Sequence, residues 1–171
     1  MRIFVLRHGT AEPRESGKTD DARKLTADGK EKLGRVLEAA AKASVKPSAI
    51  LSSPLVRAVQ TAELAAHALH FEGRIARTEA LLPDSTPQKL WDEIRSRKDD
   101  KQLLLAGHEP HLSASVAFLL GVPALQLDLK KGALVRLDMD GFEGEPKAVL
   151  KWVLTPSVAF LRRRCSSCPN S

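Results

Sequence analysis

Cysteine is nearly absent from this chain. The two that occur, Cys165 and Cys168, stand together in the last seven residues, so no disulfide can staple distant parts of a fold. Their CxxC spacing matches half of a zinc site, but no second pair of ligands accompanies it. Long apolar runs are missing too. Nothing approaches the ~20 residues that cross a bilayer, and Arg7 interrupts the Met1–Leu6 run before it reaches the length of a signal-peptide core. The expectation is a cytoplasmic protein with no membrane partner, no metal and no cofactor. Aromatic residues make up only 4% of the chain. None interleave with a basic patch, which argues against nucleic acid as a partner. Trp91 and Trp152 are read as core-packing residues.

What is present suits one globular unit: 171 residues, 43% hydrophobic and 28% charged. The formal net charge of +6 favours anionic partners through long-range attraction. Basic residues are scattered except for Arg162-Arg163-Arg164. The expected division is a domain over 1–160 and a basic, cysteine-containing tail over 161–171; the sequence leaves the oligomeric state open and favours a monomer.

Short apolar runs alternate with segments of helical periodicity, the pattern of an α/β protein. Strands are expected at Ile3–Leu6, Ala49–Leu51, Ile75–Thr78, Gln102–Ala106, Ala133–Met139 and Ala148–Leu154. Helices are expected over Ala27–Ala43 behind a Thr26 cap, Pro54–Leu69 with Ser53 as cap and proline at the first helical position, Gln88–Arg97 and His111–Leu120. The turn-rich Asp140–Gly144 segment makes the last two strands an antiparallel pair. The fold class is therefore a three-layer α/β/α sandwich with a mostly parallel sheet of about six strands.

Three of the expected strand ends carry reactive residues: Arg7-His8-Gly9, then Ser52-Ser53-Pro54 with Arg57, then Gly107-His108. In an open parallel sheet the carboxyl ends of the strands face a common crevice, so these segments should meet. Guanidinium groups fork onto phosphate oxygens, and an imidazole can attack phosphorus and later be released from it. Gly9 lets the backbone pass close to a bound anion, and the start of the Pro54 helix adds N–H donors. Asp20 and Arg23, three residues apart, suit either a local ion pair or the rim of this site. His67, His70 and His111 match no motif and are read as structural.

The sequence resembles the histidine phosphatase superfamily, the phosphoglycerate-mutase-like enzymes. The resemblance rests on Arg7-His8-Gly9-Thr10, on Leu51-Ser52-Ser53-Pro54-Leu55-Val56-Arg57-Ala58-Val59-Gln60-Thr61-Ala62, and on Gly107-His108. Asp20-Asp21-Ala22-Arg23-Lys24-Leu25-Thr26 and the lack of a Trp-Glu-Gly insertion are similar to the SixA-type phosphohistidine phosphatases. The resemblance implies that His8 becomes phosphorylated while Arg7, Arg57 and His108 hold the phosphoryl oxygens. It implies a phosphorylated partner, either a phosphohistidine-containing protein or a small phosphomonoester. Asp84, in Leu82-Pro83-Asp84, matches the position of the family's general acid, and Glu79 is a second candidate. A module that binds phosphate without turnover is the alternative from another class.

Overall fold

The run Ile3-Phe4-Val5-Leu6 offers no polar position, so a strand built from it must be covered on both faces. The computed structural model, which describes residues 1–14 and 19–161, places it inside β1 (Arg2–Arg7), the fourth strand of a six-stranded sheet. With β2 (Ala49–Ser52), β3 (Ala76–Arg77), β4 (Gln102–Gly107), β5 (Leu134–Asp138) and β6 (Val149–Leu154), the strand order is β3-β2-β4-β1-β5-β6. The first four of these run parallel. β5 is antiparallel to β1 on one side and to β6 on the other.

Alternation along β1 sorts its side chains into two cores. Ile3 and Val5 pack with Leu90, Trp91 and Ile94 of α3 (Pro87–Ser96) and with Leu112 and Val116 of α4 (His111–Leu119). Phe4 and Leu6 pack with Leu33, Val36 and Leu37 of α1 (Ala27–Lys42), with Ala62 and Ala65 of α2 (Val56–Ala68), and with Ala159 of α5 (Pro156–Leu161). The architecture is the expected α/β/α sandwich. Trp91 is buried and stacks on Phe142, while Trp152 lies against Phe4. Helix α5 and two short 3-10 turns, Asp20–Ala22 and Glu79–Leu81, were not foreseen. The Arg162–Cys168 tail lies outside the described residues.

Caps set most helix starts. Thr26 accepts the Gly29 N–H at 3.0 Å, and Thr86 accepts that of Lys89 at 3.3 Å with Pro87 in the first turn, so α3 begins one residue ahead of expectation. Helix α2 corrects the sequence-based boundary. It begins at Val56 rather than Pro54, and its cap residue Leu55 makes no side-chain cap bond. Ser53 is unavailable as cap, because its hydroxyl is engaged by His108 and by the Leu55 N–H. The third strand is also shorter than the expected Ile75–Thr78, since Thr78 turns to accept the Ala80 N–H at 3.2 Å and starts a 3-10 turn.

Two glycines in α1 make opposite demands. A Cβ on Gly29 would collide with the carbonyl of Thr10, whereas a Cβ on Gly34 would meet nothing within 4 Å. Gly34→Ala is therefore expected to raise stability by up to about 1 kcal/mol through helix propensity. Gly29→Ala is expected to lower it by about 1–3 kcal/mol through overpacking. Denaturant unfolding of both variants checks this, and equal shifts for the two would refute the packing argument.

Candidate active site

The parallel register between β1 and β4 pairs Arg7 with Gly107, so the residue after each strand emerges at the same edge of the sheet. The His8 N–H continues the ladder to the Gly107 carbonyl at 3.0 Å, and the Ser53 N–H does the same to Ala106 at 2.9 Å. His8 and His108 consequently sit with ring centroids 5.0 Å apart, both buried. Arg57, on the first turn of α2, is buried beside them. The structure thus brings together Arg7, His8, Gly9, Ser53, Arg57 and His108.

Each side chain is oriented by a bond that leaves part of it unpaired. His8 Nδ1 lies 2.7 Å from the Gly9 carbonyl. A carbonyl only accepts, so Nδ1 carries the hydrogen and Nε2 is left with its lone pair. His108 Nε2 pairs with Ser53 Oγ at 2.8 Å. Arg7 Nη1 donates to the Leu129 carbonyl. Arg57 donates from Nη1 to the Asp20 carbonyl at 2.8 Å and from Nη2 to Asp20 Oδ2 at 2.9 Å. Five buried side-chain polar atoms among the described residues have no hydrogen-bond partner, and three of them are Arg7 Nε, Arg57 Nε and His108 Nδ1. Unpaired buried donors cost free energy, so their concentration around one imidazole marks a place built for an anion.

The loop after β1 is tied down from several directions. The Gly9 N–H donates to Thr61 Oγ1 at 3.2 Å, and Thr61 Oγ1 donates to the Arg57 carbonyl at 2.7 Å. A Cβ on Gly9 would stand 3.2 Å from the Gly29 carbonyl, tighter than side chains ordinarily pack. The Gly132 N–H lies 3.1 Å from the His8 carbonyl, at a φ of +77° that favours glycine.

Sequence reasoning missed Ser53 as the partner of His108, Thr61 as the tie to Gly9, and the Leu129 carbonyl. Ser53 and Thr61 lay inside a motif that could have pointed to them. A backbone carbonyl 122 residues from its partner leaves no such signal. Asp20 and Arg23 make the anticipated ion pair, at 2.7 Å, and Asp20 also reaches Arg57. Asp84 and Glu79 are both exposed, and neither bonds to Arg7, His8, Arg57 or His108. Asp84 acts electrostatically on His111, which is buried, bonded to Ser115 at 3.2 Å and held below the ordinary histidine range chiefly by that burial. Among the described residues no group of three or more metal-ligating side chains is gathered, and no helix is long and apolar enough to cross a membrane.

Burial dominates the electrostatics. It lowers the pKa of His8 to about 4, opposed by the Gly9 hydrogen bond and reinforced by the charges of Arg57, Arg7 and Lys131. For His108, burial and then the neighbouring His8 and Arg57 lower it to about 3. Both rings are neutral near pH 7, which suits a nucleophile.

Below its ordinary value near 6.5, the unfolded chain binds protons that the folded one refuses, so these two groups stabilise the fold fully above that pH. Their contribution declines as pH falls from 6.5 towards 4 for His8 and towards 3 for His108. Unfolding free energies at pH 7, 6 and 5 are expected to drop, with a limiting slope of about 1.4 kcal/mol per pH unit for each proton. The ring resonances of His8 and His108 should titrate below pH 5 in NMR spectra, and titration of these two near 6.5 would contradict the burial argument.

Comparisons with known proteins agree with this geometry. Residues 3–81 match the family model of the histidine phosphatase superfamily (branch 1), a span that includes Arg7, His8, Asp20 and Arg57. An uncharacterized protein of Picosynechococcus sp. is 32% identical over 146 residues, covering 80% of this chain and 84% of its own. Among solved structures, the protein histidine phosphatase SixA complexed with tungstate superimposes with a TM-score of 0.81 at 22% identity, over 92% of this chain and 98% of that one. The alpha-ribazole phosphatase of Shigella flexneri gives 0.72 at 18% identity, over 91% and 97%. Those two structures share the fold. With its motif residues converging on one buried, cation-lined pair of histidines, the chain belongs to the histidine phosphatase superfamily, branch 1, and is a phosphatase.

Proposed function

We propose that the protein removes a phosphoryl group from a phosphohistidine on another protein, through a phosphorylated His8. The observation that carries this reading is the set of unpaired donors, Arg7 Nε, Arg57 Nε and His108 Nδ1, gathered around a neutral imidazole whose Nε2 lone pair is free. In the first step Nε2 of His8 attacks phosphorus and the bond from phosphorus to the leaving group breaks. In the second, water attacks the phosphorus of phospho-His8, inorganic phosphate leaves, and the imidazole is regenerated. The two guanidinium groups and His108 hold the oxygens on which negative charge is spread, which is the main source of rate in phosphoryl transfer.

The leaving group decides the substrate class. An alkoxide must be protonated as it departs, and the two carboxylates suited by sequence, Asp84 and Glu79, are exposed and unconnected to the histidine pair. An imidazole leaving group makes a weaker demand on such a donor. A wide groove of about 860 Å³, lined by Pro87, Phe118, Leu125 and Leu127 between Glu109 and Asp128, flanks the site and suits a protein surface better than a small ester. Glu109 follows His108 directly, and Asp128 precedes the Leu129 that holds Arg7. The net charge of +6 favours approach of an acidic phosphocarrier.

Acid-labile phosphate trapping with His8→Ala tests the mechanism, assayed on a phosphohistidine protein and on p-nitrophenyl phosphate. The wild type is expected to label and the variant to lose ~10³-fold or more in kcat. Unlabelled protein with full activity in the variant refutes the chemistry, and a hundredfold preference for the small ester refutes the substrate class. Because Asp84 is exposed and makes no bond to the histidine pair, Asp84→Asn is expected to leave turnover unchanged for good and poor leaving groups alike. A selective loss on substrates with poor leaving groups would instead make Asp84 the proton donor.

A further inference from the structure

The bonds that Arg57 makes are one-sided. A guanidinium carries five N–H donors. Asp20 takes two of them, both from the Nη1–Nη2 end: its backbone carbonyl at 2.8 Å and its Oδ2 at 2.9 Å. The Nε–H at the other end has no partner, although the side chain is only 4% exposed. Asp20 therefore fixes the plane of the guanidinium while leaving a separate edge unpaired.

The carboxylate is itself held. Its Oδ1 accepts from Arg23 Nε at 2.9 Å and from Arg14 Nε at 2.9 Å, and Arg23 Nη1 donates to the Glu12 carbonyl at 2.8 Å. Asp20 also opens the 3-10 turn that packs against the start of α2. Burial works to raise its pKa, but the Arg14 bond and the charges of Arg57 and Arg23 outweigh it and bring the group to about 2. Arg57, by contrast, is depressed by burial in spite of Asp20. The asymmetry is physical: the arginine lies inside and the carboxylate at the rim, so the pair keeps a desolvated cation charged and aimed.

The geometry points to Asp20 as a positioning residue, which holds the Nη1–Nη2 end of Arg57 so that the Nε edge is presented to the phosphoryl group on His8. The inference rests on the phosphoryl chemistry proposed above. It separates Asp20 from a rim role in contacting substrate, because Asp20 acts through Arg57.

The test is a double-mutant cycle on Asp20→Ala and Arg57→Ala with p-nitrophenyl phosphate, together with inhibition by orthovanadate. In the wild-type background Asp20→Ala is expected to lower kcat/KM by about tenfold or more, as misaligned catalytic groups do, and to weaken vanadate inhibition in parallel. In the Arg57→Ala background the same change should cost less than about twofold, because its route of action is gone. Asp20→Asn keeps an acceptor oxygen for Arg57 and should recover most of the loss. Thermal unfolding of each variant separates misfolding from misalignment.

Additive losses in the cycle would overturn the inference, and so would tighter vanadate binding by Asp20→Ala, which would mean that the carboxylate competes with phosphate for the same edge. Wild-type activity in Arg57→Ala, or in His8→Ala, would instead refute the phosphoryl chemistry itself. The two failures are therefore distinguishable.

Discussion

The site depends on the register of one parallel strand pair. Arg7 opposite Gly107 means that both strands run out at the same height, and His8 and His108 then follow as the first residues beyond them. A slip of one residue would turn every side chain of β1 to the other face, sending Ile3 and Val5 where Phe4 and Leu6 belong. Each of those four is at most 1% exposed, so the two cores enforce the register from both sides. The spacing of the two histidines is thus a by-product of the packing that holds the sheet together.

The same burial shapes the chemistry. Two neutral imidazoles and two guanidinium groups sit where water is scarce, and a dry environment strengthens their action on an anion. It also penalises their own charge, which is why the guanidinium groups lean on the carbonyls of Leu129 and Asp20 and on the Asp20 carboxylate. Ser53 shows the trade most plainly. Its hydroxyl goes to His108 instead of capping α2, and the helix starts later as a result.

Much of the fold was legible in the sequence, because its signals are local. Apolar runs such as Ile3–Leu6 and Leu103–Leu105 are too short for helices and too apolar for edge strands, and Thr26 announces the helix it caps. The convergence of Arg7, His8, Arg57 and His108 was legible for a topological reason, since carboxyl ends of parallel strands share one crevice. What stayed hidden was non-local or competitive. Nothing around Leu129 announces that its carbonyl will hold a side chain from the first strand. The start of α2 was misplaced because a perfectly good cap residue had a second suitor 55 positions away. Asp20 looked like the partner of its near neighbour Arg23, and its reach to Arg57 spans 37 positions. Asp84 and Glu79 carry the weaker kind of signal: a single carboxylate after a short strand has no motif around it, and both side chains are exposed and unbonded to the histidine pair.

The contact between Arg7 and the Leu129 carbonyl orders events in time as well as in space. A ribosome releases His8, both guanidinium groups and His108 before the residue that clamps Arg7, and Gly132, whose N–H donates to the Arg7 and His8 carbonyls, comes later still. A nascent chain carrying every reactive side chain thus lacks the fastening that aims them. The histidine pair is fully fastened only when the last quarter of the chain has closed over its first strand, so a partly made copy does not carry a finished site.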